Sequence, residues 1–185
     1  NLVLFGIQVV VLTLALVLFG IAPDFTFVAI LPLALVALLV FTGALSVFLS
    51  AVNVYLRDTQ HLTEVALMAW FWFTSIVYTY GTIFLSGHNK AHPSLNWIQY
   101  AYLVNPMTPI VMTFQRAIYG RTSYVYMAPN PAGGPRIPQL YHVLPTWGVG
   151  TYALMMGAVL LLGCVLFILA LIIFGRLEGN FAEEL

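Results

Sequence analysis

The sequence predicts an all-α membrane protein, and three observations carry that prediction. Hydrophobic residues make up 62% of the 185 positions and charged residues only 6%, with a mean hydropathy of +0.98. An ordinary soluble domain carries about a quarter charged residues. Four apolar runs are long enough to cross a bilayer as helices, which takes about 20 residues at about 1.5 Å each through roughly 30 Å of hydrocarbon. Several of the few charges, among them Asp24, Arg57, Asp58 and Arg176, stand at the ends of those runs.

The first run, 2–21, stops at "APD", where Pro23 and Asp24 break the helix and put a charge at the water interface. The second, 27–55, is long enough to tilt, with Pro32 tolerated near its start. Arg57 and Asp58 follow as a short aqueous turn, and Asp58 is placed to cap the third run, 62–85, where its charge suits the helix dipole. The fourth, 147–174, closes at Gly175 and Arg176 with a cap and an interfacial cation.

Between the third and fourth runs the character changes. "PSLNWIQYAYLVNP" and "TPIVMTFQRAIYG" read as amphipathic helices over 94–104 and 109–119, the second with Thr108 as cap, Pro109 at its first position and Gly120 as stop. Each is roughly 18 Å long, too short to span, so the pair dips into one face of the membrane or lies on it. "APNPAGGPRIP" reads as a Pro/Gly loop without periodicity. No repeat and no sizeable water-soluble domain are evident, and the absence of a leading Met before an apolar Leu2 suggests further sequence in front.

Composition also excludes several functions. Formal net charge is zero and no Lys/Arg run exists, so nucleic acid is not an expected partner. Cys164 is the single cysteine, which rules out a disulfide scaffold and leaves packing as its expected role. His88 and His92 have metal-pair spacing but stand in the loop "SGHNKAHPS" without a third ligand, so no metal site is expected. Ser/His/Asp arrangements, P-loops and glycine-rich phosphate cradles are absent, and no catalytic residue is assigned.

Three constellations remain. Gly43, Ser46, Ser50 and Asn53 form a small or polar stripe that suits close helix packing or, alternatively, contact with a substrate. Arg57, Asp58, His61 and Glu64 form an ionic turn between two spans. Trp70, Phe71, Trp72 and Phe73, with Tyr78 and Tyr80 beyond, lie deeper than an interfacial belt usually sits, and flat aromatic faces along a conduit suit stacked sugar rings. Arg116, a cation in an amphipathic helix, needs phosphate, carboxylate or water; lipid headgroups or a passing diphosphate would serve.

These blocks carry a resemblance. "LSAVNVYLRD", an aromatic span ending "IVY", "LVNPMTPIVMTFQRAI" and the closing "GRLEGNFAEEL" resemble, in order and over nearly the whole chain, the membrane subunit of polysaccharide-exporting ABC transporters of the ABC-2 type. These are Wzm-type permeases for O-antigen, with relatives for teichoic acid and cell-wall galactan; the tail and enlarged outer loop look most like the galactan branch. The chain departs from the pattern at "IVYTYG", where Val77 replaces a common proline.

The resemblance implies an ABC-2 (type V exporter) bundle, with four of six expected spans present and the short pair acting as external gate helices. It also implies a homodimer in the bacterial cytoplasmic membrane, multi-pass, driven by a cytoplasmic ABC ATPase subunit that holds ATP and Mg, with no cofactor in this chain. The cargo it implies is a polyprenyl-diphosphate-linked polysaccharide. Trp70, Trp72, Phe73, Tyr78 and Tyr80 would then line the substrate path, Tyr100, Tyr102 and Arg116 the gate, and Arg57, Asp58 and Glu64 the cytoplasmic turn. Counting Lys90, Arg116, Arg121 and Arg136 against Arg57 and Arg176 inverts this topology under the positive-inside rule. The resemblance outweighs the count, because the outer loop is near the rule's length limit and partly embedded. Two rivals stand beside it: an ABC-2 exporter of a drug or small lipid, and a membrane-embedded glycosyltransferase, which would need convergent carboxylates or histidines at one depth.

Overall fold

In the computed structural model, residues 2–20, 24–56, 58–78, 80–81, 96–120, 123–128, 130 and 134–178 are described. Their order is α1 (Leu2–Leu18), α2 (Phe25–Val28), α3 (Leu31–Tyr55), α4 (Thr59–Trp72), α5 (Asn96–Val104), α6 (Met107–Tyr119), β1 (Ser123–Ala128), β2 (Ile137–His142) and α7 (Val149–Glu178). The protein is thus mostly helical, with one antiparallel hairpin among the described residues.

Two helices make the frame. On α3 the buried positions Ala34, Ala37, Phe41, Ala44 and Ala51 recur at helical spacing, and on α7 Tyr152, Met156, Val159, Gly163 and Ala170 do the same. Small side chains let the two backbones approach: a Cβ on Gly163 would stand 3.2 Å from the Phe41 backbone nitrogen and 3.3 Å from a Val40 methyl. Such close approach is how helices gain packing where lipid removes the hydrophobic drive.

The stretches Phe25–Val54 (30 residues) and Val149–Arg176 (28 residues) are long and apolar enough to cross a membrane. Only 28% and 17% of their apolar windows are buried within the chain, so they are not the hidden core helices of a soluble protein. Their outward residues, among them Val36, Leu39, Leu154, Leu161 and Leu171, present an apolar surface that calls for lipid or partner helices. Length, composition and this outward apolar surface together point to a membrane protein.

Helix α6 packs against both α3 and α7. It buries Ile110, Met112, Ala117 and Ile118, and the Asp24 backbone N–H donates to the Ala117 carbonyl at 2.9 Å, docking the start of α2 on it. Asp24 also caps α2 by accepting from the Thr26 N–H at 3.3 Å. Helix α1 is exposed over most of its surface and meets α6 through an edge-to-face Phe5–Phe114 pair at 5.9 Å.

Several sequence expectations need correction. Helix α1 ends at Leu18 rather than Ile21, where Gly20 takes a left-handed φ of +77° that no side-chain residue adopts cheaply. The helix expected over 62–85 begins at Thr59 and ends at Trp72, with turns from Phe73 to Tyr78. There the Thr74 hydroxyl donates back to the Trp70 carbonyl at 2.8 Å, a local alternative to helical pairing. Thr108 is not the cap of α6: Pro106 holds the cap position and the Asn105 side-chain oxygen accepts from the Met107 N–H at 3.1 Å. The Pro/Gly loop is the connection of a hairpin whose register runs from Ser123↔His142 to Ala128↔Ile137, so Ile137 and Pro138 belong to a strand. Helix α7 continues through Gly175 and Arg176 to Glu178, and Cys164 is exposed on it rather than packed.

In the stripe expected to pack, Gly43 does face Phe167, whose ring would lie 3.6 Å from an added Cβ. Ser46, Ser50 and Asn53 are exposed, because the alanine stripe takes the α7 face instead. Arg57, His88, Lys90, His92 and Arg121 lie outside the described residues.

Candidate functional site

The break after α4 is where polar groups converge. Three carbonyls beyond the helix end, which a continuing helix would have paired internally, accept side-chain donors from α5, α6 and the turn between them. Asn105 Nδ2 donates to the Phe73 carbonyl at 3.2 Å, Gln115 Nε2 to that of Ser75 at 2.8 Å, and the Tyr102 hydroxyl to that of Tyr78 at 2.9 Å. Unpaired backbone carbonyls are costly away from water, so this substitution of partners is what lets the break persist. Asn105 joins both sides, since its Oδ1 also accepts from the Trp70 indole N–H at 2.9 Å. Burial holds the Tyr102 phenol above its ordinary value of 10.0, outweighing the neighbouring Ser75 hydroxyl, which lowers it.

The aromatics chosen from the sequence separate into three environments. Trp70 is half-buried, oriented by Asn105 and set edge-on to Phe41 at 6.2 Å. It borders an apolar groove of about 210 Å³ with Phe41, Leu45, Leu67 and Phe71, where the Thr42 and Thr74 hydroxyls are turned back onto the Leu38 and Trp70 carbonyls. Trp72, Phe73 and Tyr78 are exposed. Tyr80 is buried in the core, its ring 5.3 Å from Trp147.

From Trp147 a file of rings continues to Tyr152 at 6.2 Å and on to Phe27 at 5.2 Å, and the Arg116 guanidinium sits 4.9 Å above the Phe27 ring. Arg116 also donates from Nη1 to the Gly120 carbonyl at 2.6 Å. Its Nε and the Tyr152 hydroxyl are buried with no partner among the described residues, so the end of the file keeps donor capacity in hand. The proposed gate trio is therefore not assembled at one point. Tyr102 reaches the α4 break, Arg116 turns to Gly120 and Phe27, and Tyr100 is exposed.

At the other end of α4, Asp58 holds the cap position without a side-chain hydrogen bond and is exposed. His61 Nδ1 lies 4.0 Å from Glu64 Oε2 with both side chains solvent-facing, a contact worth little in water. Among the described residues no three His, Cys, Asp or Glu side chains are grouped to hold a metal ion. A second groove of about 320 Å³ runs between α1, α3 and α6, apolar except for Gln115 and Tyr119.

In the sequence, Asn105 and Gln115 look like no more than a helix end and a polar-face residue. The one local sign is Asn105 immediately before Pro106, a turn-forming pair. Nothing local ties either to α4, which is some thirty to forty residues away.

No protein-family model matches the chain, and no solved structure matches it. Over 92 residues it is 32% identical to the O-antigen export system permease protein RfbA of Myxococcus xanthus, a stretch covering 50% of this chain and 32% of that relative. The chain is similar to an export permease. The match spans about a third of that permease's length. For a membrane protein with a broken helix and an aromatic groove, that likeness gives the geometry a context.

Proposed function

We propose that this chain is the membrane-spanning subunit of an ABC transporter that exports a polyprenyl-diphosphate-linked polysaccharide across the bacterial cytoplasmic membrane. The observation that carries the reading is the likeness to the O-antigen export permease over half of the chain. A separate cytoplasmic ATPase supplies the energy with ATP and Mg, and two copies of the membrane subunit enclose the path. In this reading the chain is an ABC-2 bundle, with α5 and α6 as gate helices and the Arg57–Asp58 turn and Glu64 facing the ATPase side. Ser46, Ser50 and Asn53, exposed here, are available to the second copy or to further spans.

The apolar groove beside Trp70 offers the apolar faces of sugar rings a stacking surface. Trp72, Phe73 and Tyr78 extend that face on the exposed side of the break. Arg116, whose guanidinium lies over Phe27 beside the Gly120 carbonyl, is the cation assigned to the diphosphate. Because Asn105, Gln115 and Tyr102 tie α4 to the α5–α6 pair, a push delivered at the Asp58 end travels along α4 to the gate as one body.

The decisive test is co-purification with an ATPase, followed by assay of what stimulates hydrolysis. Lipid-linked glycan stimulates it under this reading, and Trp70→Ala with Trp72→Ala lowers export while ATPase activity stays. Unchanged export in that double variant removes the stacking role. The apolar groove between α1, α3 and α6 favours a second reading, export of a drug or small lipid. Stimulation by small amphiphiles and not by lipid-linked glycan would select it.

A further inference from the structure

The β1–β2 hairpin plays no part in the export reading, yet its surface is unusual. Residues paired across an antiparallel ribbon share a face, so Val125 with Leu140, Met127 with Pro138 and Ser123 with His142 lie on one side. That side is bare: Val125 is 63%, Met127 59% and Leu140 60% exposed. Neither six-residue strand contains an Asp, Glu, Lys or Arg, and among the described residues each strand has only the other as neighbour. Soluble proteins protect such edges with charges, and a lone two-stranded ribbon is marginal in water. This ribbon is built for a surface other than water.

Its attachment decides which surface. β2 leads into 143–148, and that segment is pinned to the bundle. The Gly81 N–H donates to the Val143 carbonyl at 3.1 Å, Leu144 is buried, and Trp147 packs on Tyr80. The apolar span then begins at Val149. The base of the hairpin is therefore held at the end of a membrane-crossing helix, the level at which headgroups meet acyl chains. The exposed Arg136, directly before β2, adds a cation at the same level.

We propose that the β1–β2 hairpin lies on the lipid surface, with Val125, Met127 and Leu140 inserted at the headgroup–acyl boundary. It thereby anchors the start of α7 and the chain that follows α6. That placement holds whatever the protein transports.

The test places a nitroxide on a single cysteine at 125, 127 or 140, and at 134 in the connecting loop, in a Cys164→Ala background of the intact protein. The protein is reconstituted in phosphatidylcholine/phosphatidylglycerol vesicles, and collisions with oxygen and with a water-soluble nickel chelate are compared. At 125, 127 and 140 oxygen is expected to exceed nickel several-fold, with the order reversed at 134. Nickel dominance at all four positions puts the face in water and overturns the proposal. So does inaccessibility to both agents with spin–spin broadening, which assigns the face to a second copy of the chain. Should a cysteine variant fail to fold, a lipid-borne diazirine on the unaltered protein decides the same question. Labelling of 123–128 and 137–142 supports lipid contact, and labelling confined to the helices refutes it.

Discussion

At Asn105 one carboxamide accepts from Trp70 and Met107 and donates to Phe73 and, at 3.5 Å, to Thr74. The Phe73 bond is exposed, but those to Trp70, Met107 and Thr74 are part-buried, where a group left unmet costs about 1–3 kcal/mol, so Asn105→Ala is expected to lower stability by about 2–4 kcal/mol. Asn105→Asp keeps both acceptances and loses the donations, so its loss should be smaller. Unfolding in detergent measures the pair, and equal losses would place the weight on Phe73 and Thr74. Tyr102 adds a pH dependence. Its folded pKa is raised by burial, so its contribution is fully present below the ordinary value of 10.0 and fades as pH rises through the higher folded value. Tyr102→Phe should remove that alkaline component from a pH series of melting curves; a series unchanged by the substitution would detach Tyr102 from the break. Trp70 was legible in the sequence as an aromatic of interest, but its orientation was not, because the group that orients it comes from a different element.

Between helices, shape decides. Gly163 meets the backbone of α3 at 3.2 Å, so Gly163→Val forces the α3–α7 pair apart and should cost about 1–3 kcal/mol. Ser50→Val on the exposed side of α3 should change stability by less than about 0.5 kcal/mol. Parallel unfolding curves compare them, and a larger loss at Ser50 would mean that its side of α3 is packed in the assembled protein. The sequence showed that α3 and α7 were long apolar helices, but of the stripe it singled out only Gly43 meets α7, while the alanines that carry the contact went unmarked. Serines and a glycine are conspicuous in a span, whereas alanines at 34, 37, 44 and 51 look like filler. The end of α4 was equally hidden, since the aromatic run continues the apolar pattern through Phe73 and nothing in it marks a stop. The hairpin escaped because its strands are short, contain Pro138 and flank a Pro/Gly connection that reads as plain loop.

For the whole molecule, the exposed apolar faces of α1, α3 and α7 predict behaviour without reference to transport. The protein should stay with the membrane pellet through alkaline carbonate extraction, and release into the supernatant would contradict a spanning architecture. Sequence alone determined that this is a helical membrane protein with short amphipathic helices between its later apolar runs, because hydropathy and run length are properties of consecutive residues. It also determined that the likeness to pursue was an exporter. Tertiary structure alone decided which face of α3 meets α7, where α4 breaks and which side chains satisfy the break. It likewise drew Tyr80 into a buried file ending at Arg116, and folded 123–142 into a ribbon. The physical reason is common to all of these. A backbone carbonyl released from a helix, or a ring seeking an edge to pack on, can be satisfied by any suitable group that comes near, and only the folded chain determines which group that is.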